Sequence, residues 1–213
     1  MEELGYSCEA GCHKRVYLDG DRGVCVCPRV YEPAEDTWLA LEAIREIEAG
    51  GPAPLCVDVG SGTGVLGLEC ASRGSYTVMI DLSPCAARCS LLNARGSGLD
   101  ALVDVVQCDN ASCLRCPDAG AYIMYNTPYL PVEDKGIEAL AWSGGIGEAE
   151  RLAALVAGCP GYRCVVLVYS SLSGSNERLL DALSKAGVAL KKGSLHLFFE
   201  DIVVVYGCRE PRR

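Results

Sequence analysis

A polar corner follows an apolar segment near the middle of the chain and offers groups that could hold a substrate. Residues Ala121–Tyr125 predict a buried strand, and Asn126-Thr127-Pro128-Tyr129 comes directly after it. The Asn126 side-chain oxygen and the Thr127 carbonyl would act as acceptors, the Tyr129 ring would form a wall, and Pro128 would stiffen the turn. Two acceptors beside an aromatic ring suit a flat group that bears an NH2. The alternative interpretation is an ordinary Asn-x-Pro turn.

A glycine-rich turn between a strand and a helix predicts a ligand site. The apolar segment 55–59 ends in residues 60–64, Gly-Ser-Gly-Thr-Gly, and Val65–Ser72 then predicts a helix. Glycine adopts positive φ readily and lets the backbone approach a ligand closely. Ligands of open α/β sheets bind at the carboxyl ends of the strands. The candidate cofactor contacts in this segment are Asp58, Gly60, Gly62 and Gly64.

Three interpretations of this turn compete. It could be a tight turn without a ligand, or a nicotinamide-dinucleotide site, since residues 62–67 fit the pattern G-x-G-x-x-G. The third interpretation is a site for S-adenosylmethionine (AdoMet). Asp58 would repel a pyrophosphate but could meet the cationic amino-acid end of AdoMet. A dehydrogenase also has no use for the Asn126 corner, so AdoMet is favoured.

Two more acidic residues follow strands of the same expected sheet. The predicted strand Tyr76–Ile80 ends at Asp81, whose carboxylate could accept both hydroxyls of a ribose. The predicted strand Leu102–Val106 precedes Asp109 and Asn110. Asp109 could accept from an adenine amino group and the Asn110 backbone could contact the ring. A turn residue is the alternative for Asp109, but its order after the other acids favours the cofactor.

Composition and charge argue against a nucleic-acid-binding protein, a membrane protein and a metal site. The 213 residues carry a formal net charge of −9, and 50% of them are hydrophobic. An acidic chain matches phosphate backbones poorly, so direct nucleic-acid binding is not expected. No apolar run could span a bilayer and the start lacks a signal-peptide pattern, so we expect a cytoplasmic protein without membrane contact. Only two histidines are present, far in sequence from both segments, and we expect no metal site.

The order of apolar segments predicts an α/β fold with a mostly parallel sheet. We expect one domain over residues 1–213, with residues 1–28 as a loop and hairpin extension around residues 19–21. One helix is expected to begin near Asp36. Three more are expected over Pro84–Asn93, Glu148–Ala157 and Asn176–Ala186. Near the end, Leu195–Phe199 and Ile202–Tyr206 predict an antiparallel hairpin.

The fourteen cysteines are far more than an intracellular chain usually carries. Four of them near the N-terminus could bind zinc, although their spacing matches no standard ligand pattern; they are Cys8, Cys12, Cys25 and Cys27. Four others lie in apolar segments and are predicted to be core residues; they are Cys56, Cys70, Cys159 and Cys164. Disulfides and buried thiols are favoured over zinc, because some hyperthermophiles keep disulfides in their cytosol.

Four segments of the chain resemble the HemK family of protein-(glutamine-N)-methyltransferases. They are residues 30–37 (Val-Tyr-Glu-Pro-Ala-Glu-Asp-Thr), 58–64 (Asp-Val-Gly-Ser-Gly-Thr-Gly), 126–129 (Asn-Thr-Pro-Tyr), and 136–139 (Gly-Ile-Glu-Ala) with 142–145 (Trp-Ser-Gly-Gly). The chain resembles the short archaeal and eukaryotic branch, which has no separate N-terminal helical domain. The resemblance covers nearly everything after Val16.

The resemblance implies a Rossmann-like class I AdoMet-dependent methyltransferase, with a mostly parallel seven-stranded sheet and a C-terminal antiparallel hairpin. It implies a substrate too, the glutamine of the Gly-Gly-Gln motif in a class I translation release factor. The positions that match the family's cofactor contacts are Thr37, Asp58, Gly60, Asp81, Asp109, Asn110 and Asn126. Residues 126–129 match its catalytic clamp. The family pattern there is Asn-Pro-Pro-Tyr, so Thr127 replaces a proline and predicts a looser clamp.

A small zinc-binding activator subunit is the partner that the resemblance implies. The physical reason lies in Leu102–Val106, which the usual strand order of this fold places at a sheet edge. Only Asp104 is charged in it, and an apolar edge invites pairing with another chain. The alternative is an edge that the chain's own N-terminal segment covers.

Two other functions use the same residues. An N6-adenine methyltransferase acting on RNA or DNA would need the same acceptors, although the net acidity and the Trp142 segment count against it. A non-catalytic AdoMet-binding partner subunit would not need Asn126, Pro128 and Tyr129, which are present.

Overall fold

The computed structural model describes residue 8 and residues 11–19, 22–118, 120–129 and 144–210. Within these residues, strands and helices alternate after an N-terminal hairpin. The elements are β1 (Lys14–Asp19), β2 (Arg22–Val26), α1 (Glu35–Ile47), β3 (Leu55–Val59), α2 (Val65–Ser72), β4 (Tyr76–Asp81), α3 (Pro84–Gly96), β5 (Val103–Gln107), β6 (Ala121–Asn126), α4 (Ile146–Gly158), β7 (Tyr162–Ser170), α5 (Glu177–Lys185), β8 (Val188–Leu197) and β9 (Glu200–Arg209).

The main sheet of the described residues has seven strands in the order β5-β4-β3-β6-β7-β9-β8. Its first five strands are parallel, while β9 runs antiparallel to both β7 and β8. The predicted α/β architecture with a C-terminal hairpin is confirmed. Because β3 and β6 lie side by side in mid-sheet, the glycine-rich turn and the Asn126 corner are neighbours at one edge.

The sheet is covered on both faces, which explains why its central strands are apolar throughout. On β6, Met124 packs with Ile44 of α1 and Leu68 of α2. The next residue towards the N-terminus, Ile123, packs on the other face with Leu152 of α4 and neighbouring buried residues of α5. Successive strand residues point to opposite faces, so one strand serves both cores.

The residues at the starts of α3 and α2 explain why these helices begin where they do. Ser83 caps α3, where its hydroxyl accepts from the Ala86 N–H at 3.4 Å, and Pro84 occupies the first turn. Helix α2 instead begins after Gly64, which has φ 83°. A chain coming directly from a buried strand needs this sharp left-handed turn to reverse into a helix.

Several strand boundaries differ from the sequence prediction, and two of the differences have a clear local cause. Strand β5 begins at Val103, because Leu102 belongs to a short 3-10 helix over Asp100–Leu102. In the C-terminal hairpin the first strand ends at Leu197, so the prediction that it reaches Phe199 is wrong. Phe198 has φ 51° and turns the chain, and β9 begins at Glu200.

Three disulfides attach the N-terminal hairpin to helix α3 or close it on itself. They are Cys8–Cys85, Cys12–Cys25 and Cys27–Cys89. The Asn93 side chain adds to this attachment, because it accepts from the Cys25 N–H at 2.7 Å and donates to the Cys25 carbonyl at 2.8 Å. All four candidate zinc ligands near the N-terminus are therefore consumed by disulfides, and the zinc interpretation is wrong.

Two more disulfides lie in the main domain, Cys116–Cys159 and Cys164–Cys208. Cys159 and Cys164 are buried, as predicted for core residues. The prediction that they are simple apolar core residues is wrong, because each forms a disulfide. Cys56 and Cys70 are buried free thiols, as predicted. In the described parts of the chain, no helix is both long enough and apolar enough to cross a membrane.

Candidate active site

A cavity of ≈ 420 Å³ opens at the carboxyl edge of the parallel strands. Segments that are far apart in sequence line it: the start of α1, the turns after β3, β4 and β5, the corner after β6, the start of α4 and the start of β9. Eleven of the twelve predicted site residues line the cavity, and Gly64 is the exception. The predicted residues that line the cavity are Thr37, Asp58, Gly60, Gly62, Asp81, Asp109, Asn110, Asn126, Thr127, Pro128 and Tyr129.

Each of the three glycines in the turn has a different local environment. Gly60 has φ 63°, and a Cβ there would lie 2.7 Å from the Tyr125 ring. Gly62 has φ 55° and open space where a Cβ would stand, so its backbone borders the cavity. Gly64 packs against helix α3, because a Cβ there would lie 3.2 Å from the Ser90 Cα. Contact between Gly64 and a cofactor therefore stays a prediction, whereas its packing role is evident.

A buried carboxylate, Asp58, and a partly buried one, Asp81, flank the glycine turn. Asp58 accepts from the Gly67 N–H at 2.8 Å through Oδ2, while its buried Oδ1 has no hydrogen-bond partner among the described residues. Burial raises the pKa of Asp58 to about 7, the Gly67 N–H opposes this shift, and the Asp81 charge adds to it. Asp81 holds the turn, because its two oxygens accept from the Gly62 N–H at 2.9 Å and the Ser83 N–H at 2.8 Å.

The turn after β5 brings Asp109 and Asn110 to the cavity. Asp109 is largely exposed and lies 3.5 Å from the Arg151 guanidinium. Asn110 has φ 53°, a conformation that asparagine tolerates better than most residues. Its amide donates to Glu148 at 3.1 Å, which ties this turn to helix α4. Glu148 and Arg151 are site residues that the sequence did not reveal.

Asp36 organises the substrate side of the cavity, and sequence reasoning missed it. Its Oδ2 accepts from Asn126 Nδ2 at 2.9 Å and from the Tyr31 and Tyr129 hydroxyls at 3.1 Å each. Its Oδ1 accepts from the N–H and hydroxyl of Thr37, at 2.6 and 3.1 Å. Its position in segment 30–37, directly before Thr37, is the sequence feature that could have identified Asp36 as a site residue.

The contact with Asp36 fixes the orientation of the Asn126 amide. A carboxylate only accepts hydrogen bonds, so the NH2 of Asn126 must face it. Asn126 Oδ1 is then the free end of the amide, and it is buried with no hydrogen-bond partner among the described residues. A buried acceptor without a partner is costly unless a ligand supplies the donor. Asn126 Oδ1 is thus available to a ligand, and its role as a substrate acceptor stays a prediction.

The two tyrosines are held in the neutral, donating form. Burial, followed by the negative charge of Asp36, raises the pKa of the Tyr31 and Tyr129 hydroxyls far above the ordinary value. The backbone of Tyr129 is also fixed, because its carbonyl accepts from the Ser173 hydroxyl at 2.9 Å. Tyr129 is therefore a rigid wall of the cavity.

Thr127 anchors the corner in place of a proline ring. Its N–H and its hydroxyl both donate to the Val168 carbonyl of β7, at 3.2 and 2.6 Å. The side chain is 3% exposed. Two bonds to a central strand supply rigidity that the missing ring would otherwise give, so the structure offers no support for the expected looser clamp. Residues 136–139, Trp142 and Ser143 of the resembling segments lie outside the described residues.

The charges of the lining fit a cationic cofactor. Among the described lining residues, six are acidic and two are arginines; the acids are Asp36, Asp58, Asp81, Asp109, Glu148 and Glu200. Such a surface would repel a pyrophosphate, whereas AdoMet carries a sulfonium and an ammonium group. The unpartnered Asp58 Oδ1 is placed to accept from an ammonium, and Asp81 to accept from ribose hydroxyls. The residues present therefore fit AdoMet.

Comparison with known proteins agrees with this geometry. No protein-family model matches the sequence. The chain is 27% identical over 194 residues to a putative protein N5-glutamine methyltransferase of Methanocaldococcus jannaschii, a match that covers 85% of this chain and 93% of the relative. It is 35% identical over 126 residues to the methyltransferase HEMK2 of Mus musculus, covering 54% of this chain and 58% of that one. Over these lengths the chain is similar to named glutamine methyltransferases and HemK-type methyltransferases.

Solved structures similar to this chain show its fold. The Mtq2–Trm112 complex of E. cuniculi, described as responsible for methylation of the termination factor eRF1, gives a TM-score of 0.60 at 19% identity and covers 85% of this chain and 99% of that one. The N-terminal domain of human METTL16 gives 0.67 at 13% identity and covers 88% and 75%. The fold is the Rossmann-like class I fold of AdoMet-dependent methyltransferases.

The affinity of this chain for its cofactor should rise as the pH rises through about 7. Asp58 has a pKa of about 7 without ligand, and only its carboxylate form attracts an ammonium. Binding of S-adenosylhomocysteine, which keeps that ammonium, should be about tenfold weaker at pH 6 than at pH 8. Calorimetric titration at both pH values checks this, with Asp58→Asn as the control that loses the dependence. Equal affinities in the wild type would exclude Asp58 from the ammonium site.

The raised pKa of Asp58 also makes the stability of the folded protein depend on pH. The folded, ligand-free protein holds the Asp58 proton up to about pH 7, while an unfolded aspartate, with an ordinary pKa of 3.8, releases it near pH 4. The folded state binds more protons in this window, so the Asp58 contribution to stability falls as pH rises from about 4 to about 7.

Proposed function

We propose that this chain methylates the side-chain amide nitrogen of the glutamine in the Gly-Gly-Gln motif of a class I translation release factor. The single observation that carries the proposal is the free Asn126 Oδ1, which Asp36 holds towards the cavity beside Tyr129. An amide NH2 has two hydrogens, and the proposed acceptors for them are Asn126 Oδ1 and the Thr127 carbonyl. The names of the relatives support glutamine as the acceptor.

The proposed mechanism is one of position and charge. AdoMet, when bound, supplies an electrophilic methyl group. The amide nitrogen of glutamine is a poor nucleophile, because its lone pair is shared with the carbonyl. Asn126 and Thr127 would aim this nitrogen, which lowers the barrier through orientation. They would also stabilise the positive charge that grows on it, because their dipoles are fixed before the reaction.

The proposed cofactor residues are the lining residues at the strand ends. Asp58 would meet the ammonium, Asp81 the ribose, and the turn at Asp109 and Asn110 the adenine. Thr37, Gly60 and Gly62 would border the cofactor through their positions around the same cavity. We treat the whole chain as one methyltransferase domain that works in the cytoplasm, where its proposed substrate acts, with residues 1–28 as an N-terminal extension.

Transfer of a labelled methyl group tests the proposal. The enzyme is incubated with AdoMet labelled on the methyl group and with release factor, and a release factor whose Gly-Gly-Gln glutamine is alanine serves as control. Label in the first factor alone supports the proposal. Label in RNA instead would assign the site to adenine, which needs the same two acceptors. No label in any acceptor would favour a non-catalytic subunit.

A small activator subunit is the proposed partner, at the outer edge of β5. This strand ends the sheet, and in the described residues no strand pairs with its outer side. Asp104 is exposed, while Val105 and Val106 are half-buried. The N-terminal hairpin forms a separate two-stranded sheet, which leaves the edge open to β-strand addition. The Trm112 complex of the E. cuniculi neighbour supports a partner of this kind.

Replacing Val106 by lysine should weaken activator binding about tenfold or more while sparing AdoMet binding. A charge on an edge strand opposes pairing with another strand. Val106 is preferable to Val105 for this test, because Val105 packs against the buried core. Titration calorimetry with the zinc-loaded activator measures the effect, and Val106→Thr is the uncharged, β-branched control. A chain that is fully active alone and indifferent to the activator would contradict the proposal.

A further inference from the structure

The turn between β8 and β9 presents two phenylalanines to solvent. Phe198 is 91% exposed and Phe199 is 92% exposed, more than any other large apolar side chain among the described residues. We call these two residues the aromatic tip. Exposed aromatic pairs are a poor choice for a surface that contacts only water, and such patches mark binding sites.

The backbone of the aromatic tip is also unfavourable for its sequence. Phe198 has φ 51°, in the left-handed region where glycine and asparagine are preferred. A glycine or asparagine would make this turn at lower cost. A strained conformation that keeps a bulky exposed side chain points to a role for that side chain.

The aromatic tip lies at the edge of the sheet that carries the cavity. Ile202 of β9 pairs with Ser170, the last residue of β7, so the hairpin turn extends beyond the carboxyl end of β7. Glu200, directly after the tip, lines the cavity and accepts from the Ser170 hydroxyl. The tip is thus continuous with the mouth of the site.

Hydrogen bonds join the tip to the substrate corner. The Asp201 N–H donates to the Ser171 hydroxyl at 2.9 Å, and Ser173 of the same 3-10 helix (Ser171–Ser173) donates to the Tyr129 carbonyl at 2.9 Å. Leu172 in this helix is 52% exposed and adds apolar surface nearby. A group that docks on the tip would therefore be positioned relative to Tyr129.

The charges around the tip indicate what it would bind. Glu200 and Asp201 follow the tip directly, and the chain has a formal net charge of −9. This surface would repel phosphate groups and attract lysine and arginine. An apolar pair next to acids suits a polypeptide that presents an apolar side chain flanked by basic residues.

We propose that Phe198 and Phe199 form a docking site for the protein that carries the acceptor amide. The partner would contact the tip with an apolar side chain flanked by lysine or arginine, outside the motif that enters the cavity. This inference rests on the proposed function, because it takes the acceptor to be a protein. It adds a recognition surface separate from the residues around the reacting nitrogen.

Other occupants fit the tip less well. A stable dimer buries roughly 800 Å² on each partner, while two aromatic side chains supply about 300–500 Å². A bilayer with anionic lipids would repel an acidic chain. The tip suits a contact that supplements an interface already formed at the cavity mouth.

Substrate kinetics of the double variant Phe198→Asn/Phe199→Ser test the proposal. Both side chains are almost fully exposed and asparagine accepts positive φ, so the fold should be retained. With full-length release factor, KM should rise about tenfold or more with kcat nearly unchanged. With a short peptide that carries only the Gly-Gly-Gln motif, the variant and the wild type should have equal KM. Leu92→Ser, a half-exposed leucine of α3, is the matched control.

The outcomes separate the two proposals. Wild-type enzyme that labels neither factor nor peptide contradicts the proposed function itself. Wild-type activity with an unchanged KM in the double variant overturns docking at the tip alone. Light scattering that shows a wild-type dimer and a monomeric variant would assign the tip to a second copy and overturn the proposal too. Recovery of KM in Phe198→Leu/Phe199→Leu supports an apolar contact.

Discussion

Replacing Asn126 by alanine should lower the single-turnover rate of methyl transfer about 10²–10³-fold, as expected for the loss of one preorganised transition-state contact. The buried Oδ1 of Asn126 has no partner among the described residues, so its removal breaks no hydrogen bond of that oxygen within the described fold. Cofactor affinity should change little. Rapid-quench measurement with saturating AdoMet and release factor gives the rate, and calorimetry gives the affinity.

Variants of the surrounding network serve as controls. Asp36→Asn allows residue 36 to donate to Asn126 Oδ1, which would occupy the acceptor, so this variant should also lose turnover. Tyr31→Phe removes one of the donors to Asp36 and leaves the Asn126 contact, so its effect should be small. An Asn126→Ala enzyme with a rate near wild type would remove Asn126 from the chemistry and contradict the central claim.

Removing the Cys164–Cys208 disulfide should lower the free energy of unfolding by about 4 kcal/mol, from the entropy of closing a loop of this length in the unfolded chain. The two cysteines are 44 positions apart and join neighbouring strands β7 and β9. The double variant Cys164→Ala/Cys208→Ala is compared with wild type by guanidinium unfolding in oxidising buffer.

The chain offers a matched control for this comparison. Cys56→Ala/Cys70→Ala removes two buried free thiols and no cross-link. It loses packing and two weak thiol hydrogen bonds but no cross-link, so a larger loss in the Cys164→Ala/Cys208→Ala variant reports the contribution of the disulfide. Equal losses in both would mean that the cross-link contributes nothing beyond its packing.

The sequence predicted the architecture because its patterns are local. Val65–Ser72 is a helix over the predicted residues, and the predicted strands in the parallel part of the sheet are present with shifts of one residue at their ends. Segments that are apolar throughout predict buried parallel strands, since both faces of such strands are covered. The errors fall at turns, as at Phe198, where one left-handed residue ends a strand.

The sequence also determined which side of the sheet carries the site. Asp58, Asp81 and Asn126 each stand at or near the end of a strand, and parallel strands end at the same edge. Their convergence follows from chain order alone, without any knowledge of distances. The usual strand order of this fold, rather than chain order, predicted β5 at the edge of the sheet, where the structure has it.

Only the tertiary structure decided the contacts between segments that are remote in sequence. Asp36 and Asn126 are 90 positions apart, and no local pattern indicates that one orients the other. The disulfide partners were equally hidden, since the connectivity of many cysteines cannot be deduced from their spacing. Local periodicity fixes what a segment becomes, whereas the pairing of side chains depends on how the packed segments are placed in space.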